Sequence, residues 1–378
     1  MKTRLYVQDL PLRDFTGPDR DTYLRAIPAD FLVSLKLTSP APPLSTRLDS
    51  LKRLVLQSRR LETFHYEDKG QGTRFSFAGD ERLPAFKELA LKSYDWAHSS
   101  EEVKRHWDFS RLESLQLISV PIYNFLSSVH PGELAGLKEL TCEDWSAHLH
   151  DKRTEATLAL YLLVKRHIRA LRTLSITCHT QQFDLDAILA HGPTLQELSF
   201  RDHVGFRDDD RRCPTLRPSD IVHLARHLPY VHTLELDMDA RRCNPSDFLR
   251  ALCTFPNLHT LTLHVQTVLR PLDEVQPGYD RDLAAASQTF GFLLHWRQEY
   301  SGSRGFRRVV INVGGWRPVM VRRLGQAWRR QNSMGIFAER CFVLDRGPTA
   351  RDVVMREERC VESRMSPEPT GYESDMEL

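Results

Sequence analysis

The sequence predicts an α/β solenoid, with parallel strands stacked side by side and each joined to the next by a helix on one face. Three observations predict it. A nineteen-residue phrase is written twice, PSDIVHLARHLPYVHTLEL from Pro218 and PSDFLRALCTFPNLHTLTL from Pro245, with eight identities at an offset of 27. Each copy opens like a helix and closes like a strand. The closing pattern, L-x-x-L-x-L, recurs ten times in order along the 378 residues.

The second copy shows the logic. Ser246 and Asp247 offer N-cap oxygens to the unpaired N–H groups of a first helical turn. Phe248, Leu249, Leu252 and Phe255 follow at spacings that place them on one helical face. Pro256 stops the helix. Leu261 and Leu263 then alternate with Thr260 and Thr262, as in a strand with one buried and one polar face.

The same closing pattern occurs at Leu32/Leu35/Leu37, Leu61/Phe64/Tyr66, Phe86/Leu89/Leu91, Leu112/Leu115/Leu117 and Leu137/Leu140/Cys142. It continues at Leu171/Leu174/Ile176, Leu195/Leu198/Phe200, Val231/Leu234/Leu236, Leu258/Leu261/Leu263 and Phe306/Val309/Ile311. A short strand joined to a helix and marked by this pattern is the signature of the leucine-rich repeat, whose period runs about 20–29 residues. Successive first residues lie 29, 25, 26, 25, 34, 24, 36, 27 and 48 apart, so the three longest intervals require insertions. A further match, Leu51/Leu54/Leu56, comes too soon before Leu61 to be a strand. LDSLKRLVLQSRRL reads instead as a helix with Leu48, Leu51, Leu54 and Val55 on one face. One such unit cannot bury enough apolar surface to fold alone, whereas stacked copies cover each other's flanks.

Bulk properties narrow the class. Hydrophobic residues make up 41% of the chain, enough for a continuous core, and no run of eighteen apolar residues exists to span a membrane. The opening MKTRLYVQDLPLRDF has no apolar h-region, which predicts no secretory signal. Seven cysteines, an odd number and widely spaced, form neither a disulfide framework nor a CxxC metal pattern. A reducing compartment, cytoplasmic or nuclear, is the expectation.

The phrases LPAFKELALKSYDW, FSRLESLQLISVP and RLETFHYEDKG resemble the leucine-rich-repeat proteins of fungi in the F-box-like group, over Ala29 to Leu344. That resemblance implies a horseshoe with parallel strands on its concave side and helices on its convex side. Members with an intact F-box are similar to substrate receptors of cullin-type ubiquitin ligases, so a ligase adaptor enters as an implied partner. Here the first strand pattern starts at Leu32 and TGPDRD interrupts the helix after LPLRDF, so no F-box is recognisable. The repeat's usual Asn or Cys, whose side chain bonds the next loop, is replaced by Pro40, Lys69, Tyr94, Val120, Trp145, His179, His203, Asp239 and Gln266. An irregular solenoid follows.

Catalytic chemistry is not signalled. His223 and His227 have zinc-compatible spacing on a helix, but the Glu of a metalloprotease and a third ligand are missing. GSRGFRRVVINVGGW has glycines without a phosphate-loop pattern, and Asp208, Asp209 and Asp210 fall in the 36-residue interval as a solvated insertion. No cofactor or metal is expected. Between Arg297 and Arg330 lie nine arginines and one acid, with Trp296, Trp316 and Trp328, a composition that suits nucleic acid. The same stretch also reads as an amphipathic helix, with Val319, Met320, Leu324 and Trp328 inward.

These readings give a solenoid over 1–311, a capping helix and strand over 312–344, and a disordered tail over 345–378. The expected function is non-enzymatic, a concave surface that binds a protein partner. The alternatives are a ligase receptor with a degenerate F-box and nucleic-acid binding through 297–330. The candidate contact residues are Glu197, Arg201, His232, Glu235, Asp237, His259 and His264, all expected to stand exposed on or beside the concave face. A basic segment is the partner chemistry this set suits.

Overall fold

The computed structural model describes residues 3–11, 22–38, 48–67, 73–143, 150–202, 213–265, 271–273, 280–301, 305–313, 340–347 and 353–358. Thirteen strands form one open sheet in strict chain order. The first eleven run parallel: β1 (Leu5–Pro11), β2 (Leu32–Thr38), β3 (Thr63–Glu67), β4 (Glu88–Lys92), β5 (Ser114–Ile118), β6 (Glu139–Glu143), β7 (Thr173–Cys178), β8 (Glu197–Asp202), β9 (Thr233–Asp237), β10 (Thr260–Val265) and β11 (Arg308–Val313). Two antiparallel strands close the series, β12 (Arg340–Arg346) and β13 (Val353–Glu357).

All ten strand patterns fall on β2 to β11. The register reproduces the spacings found in the sequence. Ser34 pairs with Thr63 at an offset of 29, Thr233 with Thr260 at 27, and Thr260 with Arg308 at 48. Each interval, short or long, crosses one strand width.

Helices occupy the intervals: α1 (Thr22–Arg25), α2 (Asp49–Gln57), α3 (Ser100–His106), α4 (Ile122–Ser128), α5 (Arg153–Leu162), α6 (Asp186–Leu189), α7 (Pro218–His227), α8 (Pro245–Leu252) and α9 (Arg281–Ser301). Local chemistry sets their ends. Ser99 and Glu102 make a reciprocal capping box at α3. Proline stands at the first position of α7 and α8, where the missing N–H costs nothing. Asn244 caps α8 by accepting from the Ser246 amide at 3.0 Å. As expected, α2 buries Leu51, Leu54 and Val55.

The longer intervals hold longer helices. The 34-residue step carries α5 and the 48-residue step carries α9, which the sequence reading did not place. Within α9, Ala286, Phe290, Leu293 and Arg297 are buried at spacings of three and four.

One face of the sheet meets all these helices. Leu35, Phe64, Leu89, Leu115, Leu140, Leu174, Leu198, Leu234, Leu261 and Val309 lie in adjacent register positions and join the helix side chains in one continuous core. Serines exit two neighbouring strands in the same strained way. Ser93 and Ser119 have φ of 56° and 54°, and each donates its amide to the next strand, at Ile118 and Glu143.

Three expectations need correction. The first concerns the ladder's start: β1 precedes Leu32 and takes up Leu10 and Pro11, the beginning of LPLRDF. It is an irregular strand, with register shifts on either side of Val7 and a left-handed Asp9, which is why it lacks the leucine pattern. The second concerns the tail expected from Asp345. β12 runs through Arg346, and β13 follows at Val353–Glu357. VVMRE alternates, with Met355 packed on the core and Arg356 paired to Asp345, and this suffices to add a strand. The third concerns the boundary at 311, because β11 continues to Val313. The capping helix expected within 312–344, carrying Val319 to Trp328, lies outside the described residues.

Candidate functional site

The sheet face opposite the helices is polar, and register lines its side chains into rows. One row reads Thr63, Glu88, Ser114, Glu139, Thr173, Glu197, Thr233, Thr260 from β3 to β10. The next, two residues along each strand, reads His65, Ala90, Gln116, Thr141, Ser175, Ser199, Glu235, Thr262. From β4 to β8 this second row is a shallow floor of small or uncharged side chains.

A third row, at the strands' C-terminal ends, includes Glu143, Thr177, Arg201, Asp237 and His264. Its last three members correct the expectation of an open contact patch. Arg201 is 6%, Asp237 4% and His264 4% exposed. Arg201 donates from Nε and Nη2 to Asp237 Oδ1, at 3.4 and 3.5 Å. The Asp202 amide donates to Asp237 Oδ2 at 2.8 Å, and Thr180 donates its amide and hydroxyl to Asp202 at 2.8 and 2.6 Å. Period-two alternation assigns these residues to the polar face correctly, but neighbouring charges of opposite sign turn to each other there.

Glu235 is half-buried and joins His264 Nε2 at 2.6 Å. Burial would raise the Glu235 pKa, but the bond and charge of His264, and then Arg201, hold it below the usual carboxylate range. Burial and the Arg201 charge lower the pKa of His264. Glu235 therefore stays an ionised acceptor facing His264 Nε2.

His232 and His259 stand one residue ahead of their strands and are half-buried, not open. Their rings stack in parallel, with centroids 4.9 Å apart and planes at 9°. Each Nδ1 lies 3.1 Å from the hydroxyl of the threonine that follows it. The same position in earlier strands carries a charge ladder, with Lys87 on Glu62 at 3.1 Å and Lys138 on Glu113 at 2.7 Å. Glu197 is the one predicted contact residue that stands exposed. Its row-mates Glu88 and Glu139 escaped the sequence reading, although each occupies the same place in an earlier L-x-x-L-x-L.

Elsewhere the polar groups serve the fold. A cavity of about 330 Å³ opens at the C-terminal ends of β8 and β9 beside Thr180, Thr215, Arg217, Asp220, Asp237 and Arg242. The carboxylate on its floor, Asp237, is the one held by Arg201. His223 and His227 lie exposed on α7, where His227 Nδ1 contacts the His223 carbonyl at 2.9 Å. No group of three His, Cys, Asp or Glu side chains among the described residues is arranged to hold a metal. No helix among them is long and apolar enough to cross a membrane.

Arg297, first of the basic stretch, is fully buried and donates to the carbonyls of Cys253, Phe255, Pro256 and Leu258. It closes the C-terminal end of α8 and offers nothing to a phosphate. Arg308 is engaged by Asp345 and Glu358. Trp316 and Trp328 lie outside the described residues. Neither a protein-family model nor a curated protein matches this chain, so any function must be argued from its own geometry.

Proposed function

We propose that the chain is a leucine-rich-repeat solenoid whose polar, helix-free face binds a protein partner through a basic segment of that partner. The observation that carries this reading is the row of glutamates, Glu88, Glu139 and Glu197, beside the uncharged floor of β4 to β8. An extended ladder of this kind offers a long flat surface, which suits a macromolecule better than an enclosed small molecule. Ten strands at about 4.7–4.9 Å span on the order of 45 Å. Charge complementarity at such a rim chiefly raises association rate and selectivity.

The test is quantitative affinity purification with the full chain and a Glu139→Arg, Glu197→Arg double variant. Both residues are exposed, so the variant should melt like the parent. The proteins retained by the parent should be lost or strongly depleted on the variant. Equal retention by the two would exclude this face as the main contact.

A further inference from the structure

We infer that the partner's docking segment is an extended, polyproline-type strand with a basic residue at every third position, lying across β4 to β8. This rests on the reading of the polar face as a protein-docking surface and adds the partner's spacing to its charge.

Register carries the argument. Glu88 pairs with Ser114, Ser114 with Glu139, Glu139 with Thr173, and Thr173 with Glu197. Glutamate therefore recurs on every second strand, at intervals of about 9.4–9.8 Å given the usual strand separation. Serine and threonine in between are too short to block a chain passing over them. The adjacent floor of Ala90, Gln116, Thr141, Ser175 and Ser199 lets a backbone approach closely.

Two nearby lysines are taken up by other acids, Lys87 by Glu62 and Lys138 by Glu113. Glu88 is itself engaged, by His65 Nε2 at 2.5 Å and Lys36 at 3.5 Å. Glu139 accepts from the Ser114 hydroxyl at 2.9 Å. Glu139 and Glu197 form no ion pair among the described residues. Two open carboxylates thus flank Thr173, and Glu88, already bonded to His65 and Lys36, continues the row at the same pitch.

Chain geometry then selects the ligand. A polyproline helix has three residues per turn and about 3.1 Å rise, so side chains at i, i+3 and i+6 share one side at intervals of about 9.3 Å. A β-strand places i and i+3 on opposite sides, and its same-side neighbours recur at about 6.8 Å. An α-helix repeats on one side at about 5–6 Å, or at about 10.5 Å over seven residues, and its width of about 10 Å stands it off the floor. The three-residue extended period matches the glutamate pitch.

Fluorescence anisotropy with the full chain, at about 50 mM salt, tests the inference. The probes are labelled ten-residue peptides of one composition, with three arginines in a proline–alanine frame. The arginines are placed at every third position, at every second position, or contiguously. A fourth probe is an alanine-rich helix with arginines seven apart. The every-third peptide should bind about three- to tenfold tighter than its isomers, the range expected when two or three exposed charge pairs are gained or lost. Glu139→Gln with Glu197→Gln should erase that preference, and Glu197→Gln alone should reduce it. Equal affinity for all spacings, or tighter binding of the helical probe, overturns the inferred spacing but leaves an acidic docking face. Absence of binding by every basic peptide overturns both the spacing and the proposed function.

Discussion

At the scale of single residues, the molecule resolves its departures from a regular repeat one position at a time. Tyr94, just past β4, accepts the Phe75 amide on its hydroxyl at 2.8 Å and so ties down the segment between β3 and β4. Asp239 accepts from the Arg241 amide two residues on, at 2.9 Å, and closes a turn after β9. The Tyr94 hydroxyl also meets His98 Nε2 at 2.9 Å. Burial lowers the His98 pKa from 6.5 to about 4. The folded imidazole therefore stays neutral over a range in which the unfolded one takes a proton. Its contribution to stability is complete above about pH 6.5 and is lost as pH falls toward 4, by about 3 kcal/mol. The urea midpoint of the parent should drop between pH 7 and pH 4.5. His98→Gln, which keeps an acceptor and cannot titrate, should flatten that drop, and an unchanged slope in the variant would remove His98 from the account. Asp237 poses a sharper case. Asp237→Ala strips a buried guanidinium of its partner and should cost about 3–5 kcal/mol, read as a fall in thermal midpoint. Wild-type melting would mean Arg201 finds another carboxylate.

Elements were legible to the extent that they repeat. Ten strands announced themselves because Leu234 and Leu261, or Leu89 and Leu115, stand in the same place within the same short phrase. β1 did not, because a bulge at Asp9 breaks its alternation. α9 did not, because it buries Ala285, Ala286, Thr289 and Arg297 among a few large apolar groups. The polar face was legible as a face. Its depth was not, because whether Arg201, Asp237 and His264 reach solvent depends on which charges register sets beside them. β13 is the element whose worth is most easily measured. It pairs with β12 from Val353 to Glu357, and Glu357 holds Arg340, which also holds Asp280 at the start of α9. A chain ending at Gly347 loses the pairing of β13 with β12 and the Glu357 bridge to Arg340, while Arg340 keeps Asp280, so its thermal midpoint should fall by about 2–5 °C. No change would show that β12 and α9 hold without it.

At the scale of the whole molecule, each strand is stabilised mainly by the two beside it, so damage should spread along the ladder. Leu261 is fully buried between Leu234 and Val309. Leu261→Asp places an unpaired carboxylate there at a cost of several kcal/mol, against total stabilities of about 5–15 kcal/mol. Far-UV circular dichroism should show loss of both helix and sheet signal well beyond one unit, whereas a parent-like spectrum and melt would contradict the inward assignment. The constant register has a further consequence. The step from Thr173 to Glu197 takes 24 residues and the step from Thr260 to Arg308 takes 48, yet each advances the sheet by one strand. Among the described residues, the longer interval is occupied by α9 on the helical side, and the register of the polar rows is unchanged. The chain thus behaves as a ruler whose graduations stay even however unevenly its back is thickened. A descendant could double its connecting segments without altering the pitch at which the glutamates meet a ligand.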